Sequence, residues 1–80
     1  MPPVRQFKRF DIRKMIRSGI EPLLQIRKRI DALDAGKGLV VIAPFLPSPL
    51  IEKLSSEGFT SKIERIAGAD WMVYFWREGD

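Results

Sequence analysis

The stretch from Trp71 to Arg77, WMVYFWR, carries a bulky side chain at nearly every position. Successive side chains of an extended chain point to opposite faces, so a strand of this composition needs cover both above and below. It is therefore predicted to be a central strand with a neighbour on either side. A second apolar run, LVVIA at residues 39–43, is β-branched in its middle and bounded by Gly-Lys-Gly and Pro44, as expected of another interior strand. Around residues 9–13, Phe10 and Ile12 alternate with the charged Arg9, Asp11 and Arg13, which predicts a short strand with one buried face. A weaker strand is expected over residues 61–66, followed by the turn AGAD.

Between the first two strands, KMIRSG is read as a loop. A helix is predicted to begin near Glu21, where Pro22 is tolerated in a first turn and an early carboxylate complements the helix dipole. Ser18 and Glu21 also have capping-box spacing. Leu23, Ile26, Ile30 and Leu33 form one apolar stripe, and Gly36 in DAGKG is the expected left-handed cap. In PFLPSPL, Ser48 followed by Pro49 predicts the N-cap and first residue of a second helix, ending at Gly58 with Phe59 folding back. A helix between the first two strands makes them a parallel βαβ unit with a right-handed crossover. The order βαβαββ predicts an α+β fold, a two-layer α/β sandwich of four strands with two helices on one face. Residues 1–8 are expected to be a flexible basic segment, and residues 9–78 a single domain.

With 80 residues, the fold hides only about 60–65% of the surface its unfolded form exposes, so nearly every large apolar residue is needed inside. No apolar run approaches the roughly 20 residues that span a bilayer, and the amino terminus has no secretory pattern, so a cytoplasmic protein is expected. There is no cysteine and no histidine. Disulfides, thiolate nucleophiles and imidazole acid–base chemistry are thereby removed, and no cofactor or metal is expected. The formal charge of +4 is uneven: residues 1–30 hold nine Lys/Arg against Asp11 and Glu21, whereas residues 31–80 hold five basic and eight acidic groups. Such asymmetry attracts an anionic partner or forms a solvated face.

The motifs FDIR at 10–13, EPLL at 21–24, IAPFLPSPL at 42–50, GF at 58–59 and DWMVYFWR at 70–77, in this order and spacing, resemble the cysteine-less, uncharacterised bacterial branch of the TusA/SirA superfamily, domain of unknown function family 2249. The resemblance covers about residues 9–77. It implies a mixed sheet in the order 1-2-4-3, with the last strand antiparallel to the rest. TusA-type sulfur carriers place a Cys-Pro pair just before a Glu-Pro. Here Glu21 and Pro22 match the Glu-Pro, but Gly19 and Ile20 precede them, so the carrier thiol is missing.

That topology gathers the carboxyl ends of three strands, the start of the fourth and both helix N-termini at one rim. Arg13, Lys14, Arg17, Ser18 and Glu21, Phe45 and Ser48, and Asp70 and Trp71 are expected there, and cations beside helix N-termini favour an anion. Each also has a structural role open to it: ion pairing for Arg13, capping for Glu21 and Ser48, core packing for Phe45 and Trp71. The candidate ligand-binding set is Arg13, Arg17, Ser18, Glu21, Phe45, Ser48, Asp70 and Trp71. The leading expectation is a non-catalytic binding or interaction module for a small anionic ligand or a protein partner. Two alternatives stand beside it: RNA binding through the basic first third, and an enzyme using Glu21 or Asp70 with Arg13. No membrane partner is expected. A sheet-edge strand leaves a monomer or weak homodimer open.

Overall fold

The computed structural model describes residues 1–78. A 3-10 turn at Val4–Gln6 leads into β1 (Phe7–Asp11), followed by α1 (Arg13–Arg17), α2 (Leu23–Asp31), β2 (Gly38–Ala43), α3 (Ser48–Ser56), β3 (Phe59–Ala67) and β4 (Asp70–Arg77). The four strands form one sheet in the order β1-β2-β4-β3, with β1 parallel to β2 and β4 antiparallel to both β2 and β3. The predicted architecture and strand order are therefore those observed. Val73–Trp76 of the doubly apolar run are buried in the middle of the sheet.

Alternation along the strands sorts the interior into two clusters. On the helix side, Phe10, Ile12, Leu39, Val41, Ala43, Val73, Phe75 and Phe59 pack with Ile26 and Ile30 of α2 and Leu54 of α3. On the other side no helix contributes among the described residues: Val40, Tyr74 and Trp76 are covered by Phe7 and Met72. Phe7 meets Tyr74 and Trp76 edge-on, at centroid separations of 5.1 and 6.0 Å, a favourable aromatic geometry. Its ring lies over Gly38, its register partner on β2. Trp76 Nε1 donates to Glu78 Oε1 at 2.9 Å, which satisfies the indole N–H of a buried ring.

Several local expectations need correcting. Of KMIRSG, expected to be a loop, Lys14–Arg17 form most of α1, whose Met15 and Ile16 pack on the core. The first strand starts at Phe7 instead of Arg9, so part of the N-terminal segment belongs to the sheet. The helix expected at Glu21 begins at Leu23, and Ser18 forms no capping box: it ends α1. Gly36 has the predicted positive φ of 79°, but α2 ends at Asp31 with Ala32 as its cap, so the glycine shapes the following turn. Ser48 is the first residue of α3 behind Pro47, with no side-chain capping bond. The close of α3 does follow expectation, with Gly58 at φ 93° and Phe59 buried after it. Among the described residues no helix is long and apolar enough to cross a membrane.

Candidate functional site

The carboxyl ends of β1 and β2 and the start of β4 meet at one end of the sheet, as the register Asp11↔Ile42↔Met72 requires. The predicted rim is thus a single place, but it divides in two across the plane of the sheet.

On the side away from α2 and α3, Arg13 is held by two carboxylates. Its Nε and Nη2 donate to Asp11 at 3.0 and 2.6 Å, and Nη1 donates to Asp70 Oδ2 at 2.8 Å. The Arg13 backbone N–H also donates to Asp11 Oδ1 at 3.1 Å. These bonds hold the Asp11 carboxyl below the usual carboxylate range, with the Arg13 guanidinium as the largest cause, and raise Arg13 itself. A carboxyl shifted that way stays ionised near neutral pH and suits a fixed ion pair, not proton transfer. With its guanidinium bonded to two carboxylates, Arg13 has no free donor edge to offer an anion.

On the helix side, the loop into α2 and the loop into α3 face each other. Glu21 Oε1 accepts the Leu23 backbone N–H at 2.9 Å, so the protein's own carboxylate occupies a donor that an anion would use. At α3, Ser48 N–H is taken by the Leu46 carbonyl at 2.9 Å, and Pro47 and Pro49 have no N–H. Between the loops lies an apolar cavity of about 230 Å³ that includes Ile12, Ile16, Glu21, Pro22, Phe45 and Pro47 in its wall. It adjoins a second cavity of about 330 Å³ between the helices, walled by Leu23, Leu24 and Arg27 of α2 and Leu50, Lys53 and Leu54 of α3. Glu21, Leu23, Ile26 and Leu50 border both, making one groove. Arg27 closes its far end by a two-pronged bond to Glu57 at 2.6 and 2.9 Å, with Asp31 on its other side. Arg27 in turn depresses the Glu57 carboxyl.

Around this groove large apolar side chains stand in solvent: Leu24 is 65% exposed, Ile20 50%, Leu23 45% and Phe45 44%, with Leu46 beside them. Lys14 and Arg17 on α1, and Lys53 on the groove wall, have no carboxylate within ion-pair distance among the described residues. No group of three acidic residues that could hold a metal ion is present among the described residues.

The structure thus brings Glu21 and Phe45 to one groove, next to Ser48, and binds Arg13 to Asp70 on the opposite side of the sheet plane. Arg17 and Ser18 are exposed at the end of α1. Trp71 stands apart on β4 under the Arg65 guanidinium, 5.6 Å from its ring centroid. Sequence reasoning missed Ile20, Leu24, Leu46 and Lys53. The signal was in EPLL: Leu24 lies about 100° around the helix from Leu23 and so off the Ile26–Ile30 stripe.

Neither a curated protein nor a solved structure matches the chain. The model of the family described as "Uncharacterized conserved protein (DUF2249)" matches residues 9–77, and the chain belongs to that family.

Proposed function

We propose that this protein is a non-catalytic interaction module whose α2–α3 groove receives an amphipathic helix with acidic flanks from a partner protein. The observation that carries this reading is the cluster of exposed Ile20, Leu23, Leu24, Phe45 and Leu46 around a continuous apolar groove. In so small a domain such residues are needed inside, and a contiguous exposed apolar patch marks an interaction surface. A groove between two helices suits a third helix laid along it. Lys53 on its wall, and Lys14 and Arg17 on α1, whose Ile16 borders it, supply positive charge outside any ion pair among the described residues, which favours acidic flanks on the occupant. A small anion fits less well, because Arg13 and the Leu23 N–H already bond to the protein's own carboxylates.

The scaffold itself is read as TusA-like, on the Glu21-Pro22 pair retained ahead of α2, with Gly19 and Ile20 where a carrier would bear Cys-Pro. The module is then such a scaffold turned from carrying sulfur to holding a partner, in a cytoplasmic setting. Peptide display against the protein tests the reading. The selected peptides are expected to be amphipathic with Asp/Glu flanks, and Leu24→Asp is expected to weaken them at least about tenfold, as loss of a central apolar anchor does. Selection of no peptide, or of peptides indifferent to Leu24→Asp, would count against it.

A second reading has its own observation. Arg5, Lys8, Arg9, Lys14, Arg17, Lys28 and Arg29 all lack an acidic partner among the described residues, and Arg29 sits 4.0 Å over Phe10 at the β1 edge. A basic flank of this kind binds RNA through phosphates, with steep salt dependence. Tyr74 and Trp76 do not assist, since they are buried beneath Phe7 and offer no stacking face. No retention of RNA at low salt would dispose of this reading.

A further inference from the structure

β3 is the longer of the two sheet edges: nine residues, with β4 as its single neighbour among the described residues. It contains no proline, and its one irregularity lies between Arg65 and Ala67, near the hairpin tip. An uncovered edge of this length is a template for another strand unless something blocks it. Opposite Trp76, Tyr74 and Met72 stand Thr60, Lys62 and Glu64; opposite Phe75, Val73 and Trp71 stand Ser61, Ile63 and Arg65, on the helix side. Ile63 is 44% exposed. Lys62 and Glu64 are only loosely paired within the strand, at 3.8 Å.

We propose that β3 is the seam of a homodimer, adding antiparallel to β3 of a second copy with Ile63 opposite Ile63. The charge pattern selects both the partner and the register. A two-fold axis perpendicular to the sheet keeps each residue on its own face, so opposed residues must share a face. An axis through Lys62 would set lysine against lysine, and one through Glu64 would set glutamate against glutamate. An axis through Ile63 sets each Lys62 against Glu64 of the second copy, twice by symmetry. Opposite charges directly across an antiparallel pair stabilise it, and like charges destabilise it. The same register stacks the two exposed Ile63 side chains and sets Arg65 opposite Ser61. The β1 edge is less suited: it is only five residues long, pairing about its middle residue would put Arg9 against Arg9, and the register about Phe10 that opposes Arg9 and Asp11 meets a carboxylate already held by Arg13. The resulting dimer has one continuous sheet with both helix layers on the same side and the two rims at opposite ends, so it offers two grooves to a bivalent partner.

Sedimentation velocity over a concentration series tests this, with circular dichroism confirming that each variant is folded. The unaltered chain is expected to shift from monomer to dimer as concentration rises. Lys62→Glu and Glu64→Lys are each expected to raise the dissociation constant at least about tenfold, since each makes two like-charge oppositions. The double variant Lys62→Glu/Glu64→Lys is expected to recover dimerisation. So is an equimolar mixture of the two single variants, in which complementary charges face each other again. A chain monomeric at every concentration, single variants that dimerise as well as the unaltered chain, or a double variant that fails to recover would overturn the proposal.

Discussion

Gly38 marks how closely the far side of the sheet is packed. A Cβ there would lie 2.7 Å from the Phe75 carbonyl oxygen and collide with the Phe7 ring. Gly38→Ala is therefore expected to destabilise the fold by about 1–3 kcal/mol, the usual cost of overpacking, measurable as a lower midpoint in urea. Tyr74, the only tyrosine, lies under the same ring, and burial first and the charge of Glu64 second raise its phenol above 10.0. Its folded pKa exceeds its unfolded one, so its contribution is complete below about pH 10 and is lost as pH rises through the folded value. An ultraviolet phenolate titration of the folded protein should have its midpoint above that of the denatured chain. Phe7 was illegible in the sequence for a physical reason. Its partner is a glycine, so the residue that explains it is a missing side chain at a register position that only the paired sheet reveals. Phe10 and Ile12 were legible, because a period of two against charged neighbours needs no partner to be recognised.

Elements were legible where their own residues dictate conformation, and not where tertiary contacts do. The apolar β2 and β4 and the proline-initiated α3 fall close to where the sequence puts them. α1 does not: five residues are no stable helix alone, and α1 exists because Met15 and Ile16 lie against the core. The rim residues were placed at the correct end of the sheet, yet the division between an Arg13–Asp11–Asp70 ion cluster and an apolar groove depends on which side of the sheet each loop leaves, which no linear pattern states. Between α2 and α3 the tie is Arg27 to Glu57. Arg27 depresses the Glu57 carboxyl, so this tie is present above the unfolded pKa, near 4.3, and is lost as pH falls through the lower folded value. The thermal midpoint of the unaltered protein should fall as pH is lowered from about 5 to about 3, and Arg27→Met should fall less over the same range. Equal slopes would mean the pair contributes nothing.

At the scale of the whole molecule, three surfaces differ in character. The far face of the sheet is closed by its own aromatic cluster, the β3 edge is the one proposed to take a second copy, and the helix side opens an apolar groove near Lys14, Arg17 and Lys53. Charge asymmetry in the sequence led to the expectation of an anionic partner, and the proposed reading gives that expectation a direction: acidic flanks around an apolar helix, in place of a bare anion at Arg13. Ionic strength should then weaken binding modestly, because the apolar contacts persist under screening. Most direct is backbone amide shift mapping of the labelled protein titrated with an acidic amphipathic helical peptide and, separately, with inorganic phosphate. The peptide should move the amides of residues 20, 21, 23–27, 45, 46, 48, 50, 53 and 54 together, while phosphate leaves Arg13, Glu21 and Leu23 unmoved. Peptide shifts absent from the groove, or phosphate shifts centred on Arg13 and Leu23, would contradict the account.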